Sequence, residues 1–141
     1  MKFVLDASVA LLWLLPQTNA KGLAYADSVL SALQESQAVV PSLFALEIAN
    51  VVTKLEAKRV LLEADSQRFI ALLGQLDIET DLETMARALG DTLNLARRHK
   101  LSAYDAAYLE LALRQGLPLA TLDADLAKAA QKAGLSIFAI H

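Results

Sequence analysis

The sequence predicts an α/β fold: a helix-rich, parallel β-sheet with helices on both faces, an α/β/α sandwich. Three observations lead there. Short β-rich runs alternate with longer runs of helical spacing, the pattern of a sheet built by crossover connections. The runs read as strands are nearly all apolar, as strands buried on both faces are. The three prolines, Pro16, Pro41 and Pro118, fall between the segments and not inside them.

The elements follow in chain order. Residues 2–5 read as a buried strand. Residues 7–15 are a short helical run stopped by Pro16. Residues 20–36 carry helical spacing through Leu23, Val29, Leu30 and Leu33. Residues 38–40 form a second strand closed by Pro41, and Ser42 is placed to cap a long helix over 43–59. A helix is expected over 63–75, a third strand over 76–78, and helices over 82–100 and 103–115, the second closed by Gly116. Residues 119–122 read as a strand, 124–133 as a helix ended by Gly134, and 135–140 as a last strand. No linker or internal repeat divides the chain, so one domain over 1–141 is expected.

Composition narrows the function classes. At 55% hydrophobic and 21% charged, the chain is no disordered or low-complexity segment. Its 13 Lys and Arg against 16 Asp and Glu give a net charge of −3, unlike the basic balance of a duplex-binding module. The absence of Cys excludes a disulfide framework, thiolate metal sites and a Cys nucleophile, and fits a reducing cytoplasm. The apolar N-terminal run resembles a short signal peptide. Asp6 inside that run, the polar stretch over 16–22 and the strand pattern of the first residues argue against one. The apolar run over 9–15 is far shorter than the roughly 18 residues a membrane span needs.

Most of the acids sit among polar neighbours and read as solvated helix residues: Glu63, Asp65, Asp77, Glu79, Asp81, Glu83 and Asp91. Four read differently. Asp6 directly follows the first strand and Asp123 the strand over 119–122. Each can cap the next helix, or sit where open α/β sheets bind ligands, outside the carboxyl ends of the strands. On the 103–115 helix, Glu110 and Arg114 at i,i+4 spacing mark a solvent stripe. Asp105 then lies on the inward side, where a carboxylate needs backbone N–H partners or a cation. Glu47 shares a polar stripe with Asn50 and Lys54, either as an exposed stripe or with Asn50 orienting the carboxylate. Asp125 reads as a first-turn residue favouring the helix dipole. If the four acids converge, they form an oxygen-only site suited to Mg²⁺ or Mn²⁺ and not Zn²⁺.

These acids sit in four segments: Phe3-Val4-Leu5-Asp6-Ala7-Ser8-Val9-Ala10, Val40-Pro41-Ser42-Leu43-Phe44-Ala45-Leu46-Glu47-Ile48-Ala49-Asn50, Tyr104-Asp105-Ala106-Ala107-Tyr108-Leu109-Glu110-Leu111-Ala112, and Leu117-Pro118-Leu119-Ala120-Thr121-Leu122-Asp123. Through them the chain resembles the PIN-domain ribonucleases, specifically the VapC-type toxins of toxin–antitoxin pairs. The resemblance covers nearly the whole chain. It implies a PIN-like sheet fold and assigns Asp6, Glu47, Asp105 and Asp123 to the acidic quartet that holds Mg²⁺ or Mn²⁺. It places Ser8, Asn50 and Thr121 at positions that support the site. Asp125 matches no fixed member of the quartet.

The implied activity is metal-dependent hydrolysis of RNA phosphodiester bonds, with Glu47 or Asp123 available to orient or deprotonate the attacking water. The implied partners are RNA, a small VapB-type antitoxin and a second copy of the chain. Val9, Leu11, Leu12, Trp13, Leu14 and Leu15 are too densely apolar for one core-facing stripe, which leaves part of that helix for a dimer or antitoxin contact. Phe44, Ile48, Val51 and Leu55 form a second apolar stripe. Tyr104 and Tyr108 read as packing groups. Arg97, Arg98, His99 and Lys100 form the densest basic cluster, offsetting a helix dipole or touching phosphates; Lys54, Lys58 and Arg59 are a second basic strip. A catalytically silent PIN fold acting as an RNA- or protein-binding module is the rival reading. A phosphoacceptor receiver domain would need an acid pair after the first strand and a late Lys, which Asp6 and Thr121-Leu122-Asp123 do not supply.

Overall fold

Residues Lys2–Leu5 form strand β1 at the centre of a four-stranded sheet. The structure, a computed structural model, describes residues 1–139. Phe3, Val4 and Leu5 are all fully buried. Successive strand side chains point to opposite faces, so helices cover the sheet on both sides. Helices α1 (Ala7–Leu14) and α2 (Ala20–Ala32) lead to β2 (Gln37–Val40). Then come α3 (Phe44–Ala57), α4 (Glu63–Gln75) and β3 (Ile78–Thr80). Helices α5 (Thr84–Arg87), α6 (Leu93–His99) and α7 (Ala103–Gln115) precede β4 (Leu119–Ala120) and α8 (Ala124–Lys132).

All strand pairs are parallel and the order is β3-β2-β1-β4. From β1 the chain extends the sheet one way through β2 and β3, then returns to place β4 on the other flank of β1. Strand order therefore reverses between β1 and β4, the switch point where open α/β sheets hold ligands. Asp6 follows β1 and Asp123 lies just beyond β4, so both expected acids flank it.

Several boundaries differ from expectation. The strand expected over 119–122 is only Leu119–Ala120, because Thr121 and Asp123 are engaged in side-chain hydrogen bonds. The third strand lies at Ile78–Thr80, since the Leu76 N–H is still bonded to the end of α4. Of the last expected strand, Ile137 makes a single parallel bridge to Leu119, and Ile140 lies outside the described residues. There Phe138 stacks on Phe3, with ring centroids 4.0 Å apart. Ser42 does not cap α3: the helix begins one residue later, and the Ser42 N–H donates to Thr84 Oγ1 at 3.0 Å. The helix expected over 82–100 is broken into α5 and α6 by a π-turn at Ala88–Thr92. Gly116 closes α7 as expected, at φ 66.

The apolar surplus of α1 is largely absorbed by the fold. Val9, Ala10 and Leu12 are buried, and Leu11, Trp13 and Leu14 pack against the core. The indole N–H of Trp13 donates to the Ala26 carbonyl at 2.8 Å, fastening α1 to α2. In the second stripe Phe44 and Ile48 are buried beside Val52, while Val51 and Leu55 are half-buried. The most exposed large apolar side chains include Leu82, Met85 and Leu89, at 94%, 74% and 88%. Among the described residues, no helix is long and apolar enough to cross a membrane.

Candidate active site

Four elements bring Asp6, Glu47, Asp105 and Asp123 to one cleft of about 290 Å³, also lined by Ser8 and Asn50. Asp6 enters from the end of β1, Glu47 from the first turn of α3, Asp105 from the first turn of α7 and Asp123 from the start of α8.

Asp6 occupies the position before α1, yet its side chain makes no capping bond. Ser8 Oγ and Thr121 Oγ1 instead both donate to its Oδ2, at 2.6 and 2.7 Å. These hydroxyls are themselves fixed: Ser8 Oγ accepts the Leu122 N–H and Thr121 Oγ1 accepts the Asp123 N–H, both at 3.0 Å. One oxygen of Asp6 is thus clamped, and β1, α1 and the segment after β4 are tied together by two hydroxyls. Burial is the largest influence on the Asp6 carboxyl and pushes it above its ordinary range; the two hydroxyls oppose that rise and the charge of Asp123 adds to it.

Glu47 accepts a 2.6 Å hydrogen bond from the phenol of Tyr108, a fully buried ring on α7. Its carboxyl is raised, first by burial, with the phenol opposing and Asp6 and Asp105 adding. Asp105 is pushed up to about 6, first by burial and then by the charges of Asp123 and Asp6. Its backbone N–H is capped by Ser102 Oγ, so the local helix is satisfied without its carboxylate. Asp123 does cap: its Oδ1 accepts the Leu126 N–H at 2.8 Å. The cap reading therefore holds for Asp123 and fails for Asp6.

Other residues land differently from their expected places. Asn50 lines the cleft but, among the described residues, makes no side-chain hydrogen bond to Glu47. Tyr104 is 65% exposed and packs against nothing that buries it, whereas Tyr108 packs and also holds Glu47. The supposed solvent stripe of Glu110 and Arg114 is buried. Arg114 Nε and Nη2 donate to Glu110 at 2.8 and 3.0 Å, and Nη1 and Nη2 to Asp81 at 3.1 and 2.6 Å. Side-chain exposure is 5% for both acids and 13% for Arg114. Asp81 is thus no solvated helix acid: its bonds to Arg114 hold its carboxyl below the ordinary range. A signal for this lay in the run 106–112, where Glu110 is the only charged residue; a helix apolar all round is a buried one.

The cleft's chemistry fits a hard cation. All four carboxylates offer oxygen, and three are raised by burial and by one another's charge, a conflict that a divalent ion relieves. Among the described residues, no group of three or more His, Asp and Glu side chains stands as the ligands of a bound ion do. The four acids nonetheless line one cleft, and the charges of Asp6, Asp105 and Asp123 act within it on one another and on Glu47.

The PIN-domain model matches residues 3–132. The chain belongs to the PIN-domain family. It is 31% identical over 128 residues to Ribonuclease VapC3 of Pyrobaculum aerophilum, an alignment spanning 91% of this chain and 94% of that protein. Among solved structures it is similar to VapBC2 from Rickettsia felis bound to a DNA fragment from their promoter, at TM-score 0.69 and 14% identity, covering 100% of both chains. It is similar also to FitAcB from Neisseria gonorrhoeae, at TM-score 0.61 and 22% identity, covering 99% of this chain and 97% of that one. At those identities the structures show the fold alone, in agreement with the sheet described above.

Proposed function

We propose that this PIN-domain chain is a metal-dependent endoribonuclease and the toxin of a VapBC-type, type II toxin–antitoxin pair. The observation that carries it is the meeting of Asp6, Glu47, Asp105 and Asp123 in one cleft at the switch point of the sheet, in a relative of Ribonuclease VapC3. Those four residues would hold Mg²⁺, with Mn²⁺ able to substitute. The bound ion would supply a water of lowered pKa and offset charge on the phosphate.

The chain's own residues do the rest. Ser8 and Thr121 hold Asp6 by one oxygen, so its other oxygen keeps a constant direction. Tyr108 holds Oε1 of Glu47 and leaves Oε2 for a water or the cation. Asp105, pushed up to about 6 in the metal-free cleft by burial and by Asp123 and Asp6, would be brought back toward the ordinary carboxylate range by the ion it helps to hold. Asp123 keeps one oxygen on its helix cap and lines the cleft with the other three acids. The partners on this reading are RNA, a VapB-type antitoxin and a second copy of the chain, in the cytoplasm.

Sequencing of RNA ends after controlled expression, with Asp6→Ala as control, tests the proposal. New ends at defined positions that vanish in Asp6→Ala, and cleavage by purified protein that needs Mg²⁺ or Mn²⁺ and stops in EDTA, are the expected results. Ends unchanged by Asp6→Ala, or undiminished cleavage by metal-free protein, would leave a catalytically silent binding module.

A further inference from the structure

A second groove, of about 510 Å³, carries the opposite charge, and its Asp125 is near enough to the acidic cleft for its charge to act on Asp105. Arg98, His99 and Lys100 line it from the end of α6, and Lys128 and Lys132 from α8, with Asp125 as its one acid. Among the described residues, none of Arg98, Lys100, Lys128 and Lys132 pairs with a carboxylate within the 4.0 Å of a salt bridge; the ion pairs lie elsewhere.

Both walls of this groove stand a few residues along the chain from acids of the cleft. Helix α8 begins at Asp123 in the cleft and turns Asp125, Lys128 and Lys132 to the groove, a spacing of three and four that places them on one face. The other wall passes from His99 and Lys100 to Ser102, which caps the helix bearing Asp105. Offsetting the dipole of α6 accounts for Arg97 and Arg98. It does not account for Lys128, which lies mid-way along a different helix.

Lys100 adds a second observation. It ends α6 at φ 56 and ψ 44, a left-handed conformation in which glycine is the unstrained residue. The chain places a long cation there, and its side chain lines the groove.

We infer that the α6/α8 groove binds the phosphates of single-stranded RNA beside the bond cut in the acidic cleft. This rests on the ribonuclease reading. An acidic quartet repels a polyanion, and a net charge of −3 offers no general attraction; concentrating free cations on one side of the cleft supplies the attraction locally and gives the strand a direction of approach.

The test is binding of labelled poly(U) to the full chain in EDTA, followed by anisotropy over a salt series. The variants are the triple Arg98→Gln/Lys128→Gln/Lys132→Gln and the single Lys100→Gly, with Lys21→Gln on α2 as control. Each lost phosphate contact removes about 0.7 from the salt slope on a single strand, so the triple variant should lose about 2 in slope and bind about 100-fold more weakly at ~0.1 M salt. Lys100→Gly should bind about 5-fold more weakly at ~0.1 M salt and melt higher, because glycine relieves the left-handed turn. Lys21→Gln should match wild type. Unchanged affinity and slope in the triple variant, with wild type still generating RNA ends, would overturn the groove alone. Retained RNA binding with loss of antitoxin affinity would make it a protein-docking surface instead. Wild type that neither binds poly(U) nor cleaves RNA would overturn the ribonuclease reading as well.

Discussion

The phenol of Tyr108 donates a 2.6 Å hydrogen bond to Oε1 of Glu47 from 61 positions away, joining the buried helix α7 to the acidic cleft. The ring is fully buried and the carboxylate half-buried, so the bond fixes which Glu47 oxygen faces the cleft. Tyr108→Phe removes this bond and little else. We expect RNA cleavage to fall about tenfold, the loss of roughly 1.4 kcal/mol of positioning, with stability lowered by about 1 kcal/mol. The pH dependence separates positioning from packing. The phenol holds the Glu47 carboxyl down, so its removal should shift the acid limb of the pH–rate profile upward. A cleavage rate and profile equal to wild type would show that Tyr108 only packs.

That bond marks the limit of what the chain order reveals. The strand and helix alternation was legible because each element carries its own periodicity, and Asp6 and Asp123 because strand ends are special places in any open α/β sheet. Glu47 with Tyr108, and Arg114 with Asp81, are pairings between elements, and helical periodicity speaks only of neighbours three and four apart. Glu110 and Arg114 satisfy the i,i+4 rule of an exposed pair while sitting inside the protein. Likewise Ser42 is a favourable cap by type, but its N–H is drawn to Thr84 on the segment after β3. The short β4 was over-read for a related reason: Thr121 has strand propensity, yet its hydroxyl serves Asp6 and Asp123.

The double duty of Thr121 gives a second expected outcome. Thr121→Val keeps the shape but leaves the buried Asp6 carboxylate with one hydroxyl donor and the Asp123 N–H with none. A loss of about 1–3 kcal/mol is expected in urea unfolding. Cleavage should fall alongside, since Asp6 and Asp123 both lose a restraint, and Thr121→Ser should restore most of both. Wild-type stability for Thr121→Val would show that water replaces the hydroxyl.

The Arg114 cluster governs stability away from the cleft. It binds Glu110 on its own helix and Asp81 beyond β3, with Glu83 at 3.3 Å on the exposed side. Arg114→Met strands two buried carboxylates, and unfolding should lose about 3–5 kcal/mol. Arg114→Lys should recover little, because one ammonium cannot make the two-pronged contacts to both acids. The folded Asp81 carboxyl lies below its ordinary range, so the stability it adds is present above its unfolded value and fades as pH falls through the folded one. Urea midpoints of both variants near pH 7 measure the effect; a loss under about 1 kcal/mol would mean that the acids are rehydrated.

The acidic cleft imposes the opposite pH dependence, and this gives the most direct test of cation binding. Asp6, Glu47 and Asp105 have folded values raised above their unfolded ones, Asp105 to about 6. Between the unfolded range near 4 and that value the folded chain holds more protons than the unfolded chain, so stability falls as pH rises. The metal-free protein should therefore melt higher at pH 5 than at pH 7. Mg²⁺ or Mn²⁺ added at pH 7 should raise the melting temperature by occupying the ionised carboxylates, and should flatten the pH slope. Asp105→Asn removes one of the repelling charges. It should stabilise the metal-free chain at pH 7, abolish RNA cleavage and shrink the shift produced by the cation. Thermal melts of wild type and Asp105→Asn, with EDTA and with each cation at both pH values, read all of these effects. If Asp105→Asn unfolds the protein, or no cation moves the wild-type melt at pH 7, Asp105 is a structural acid and the cleft is not a metal site.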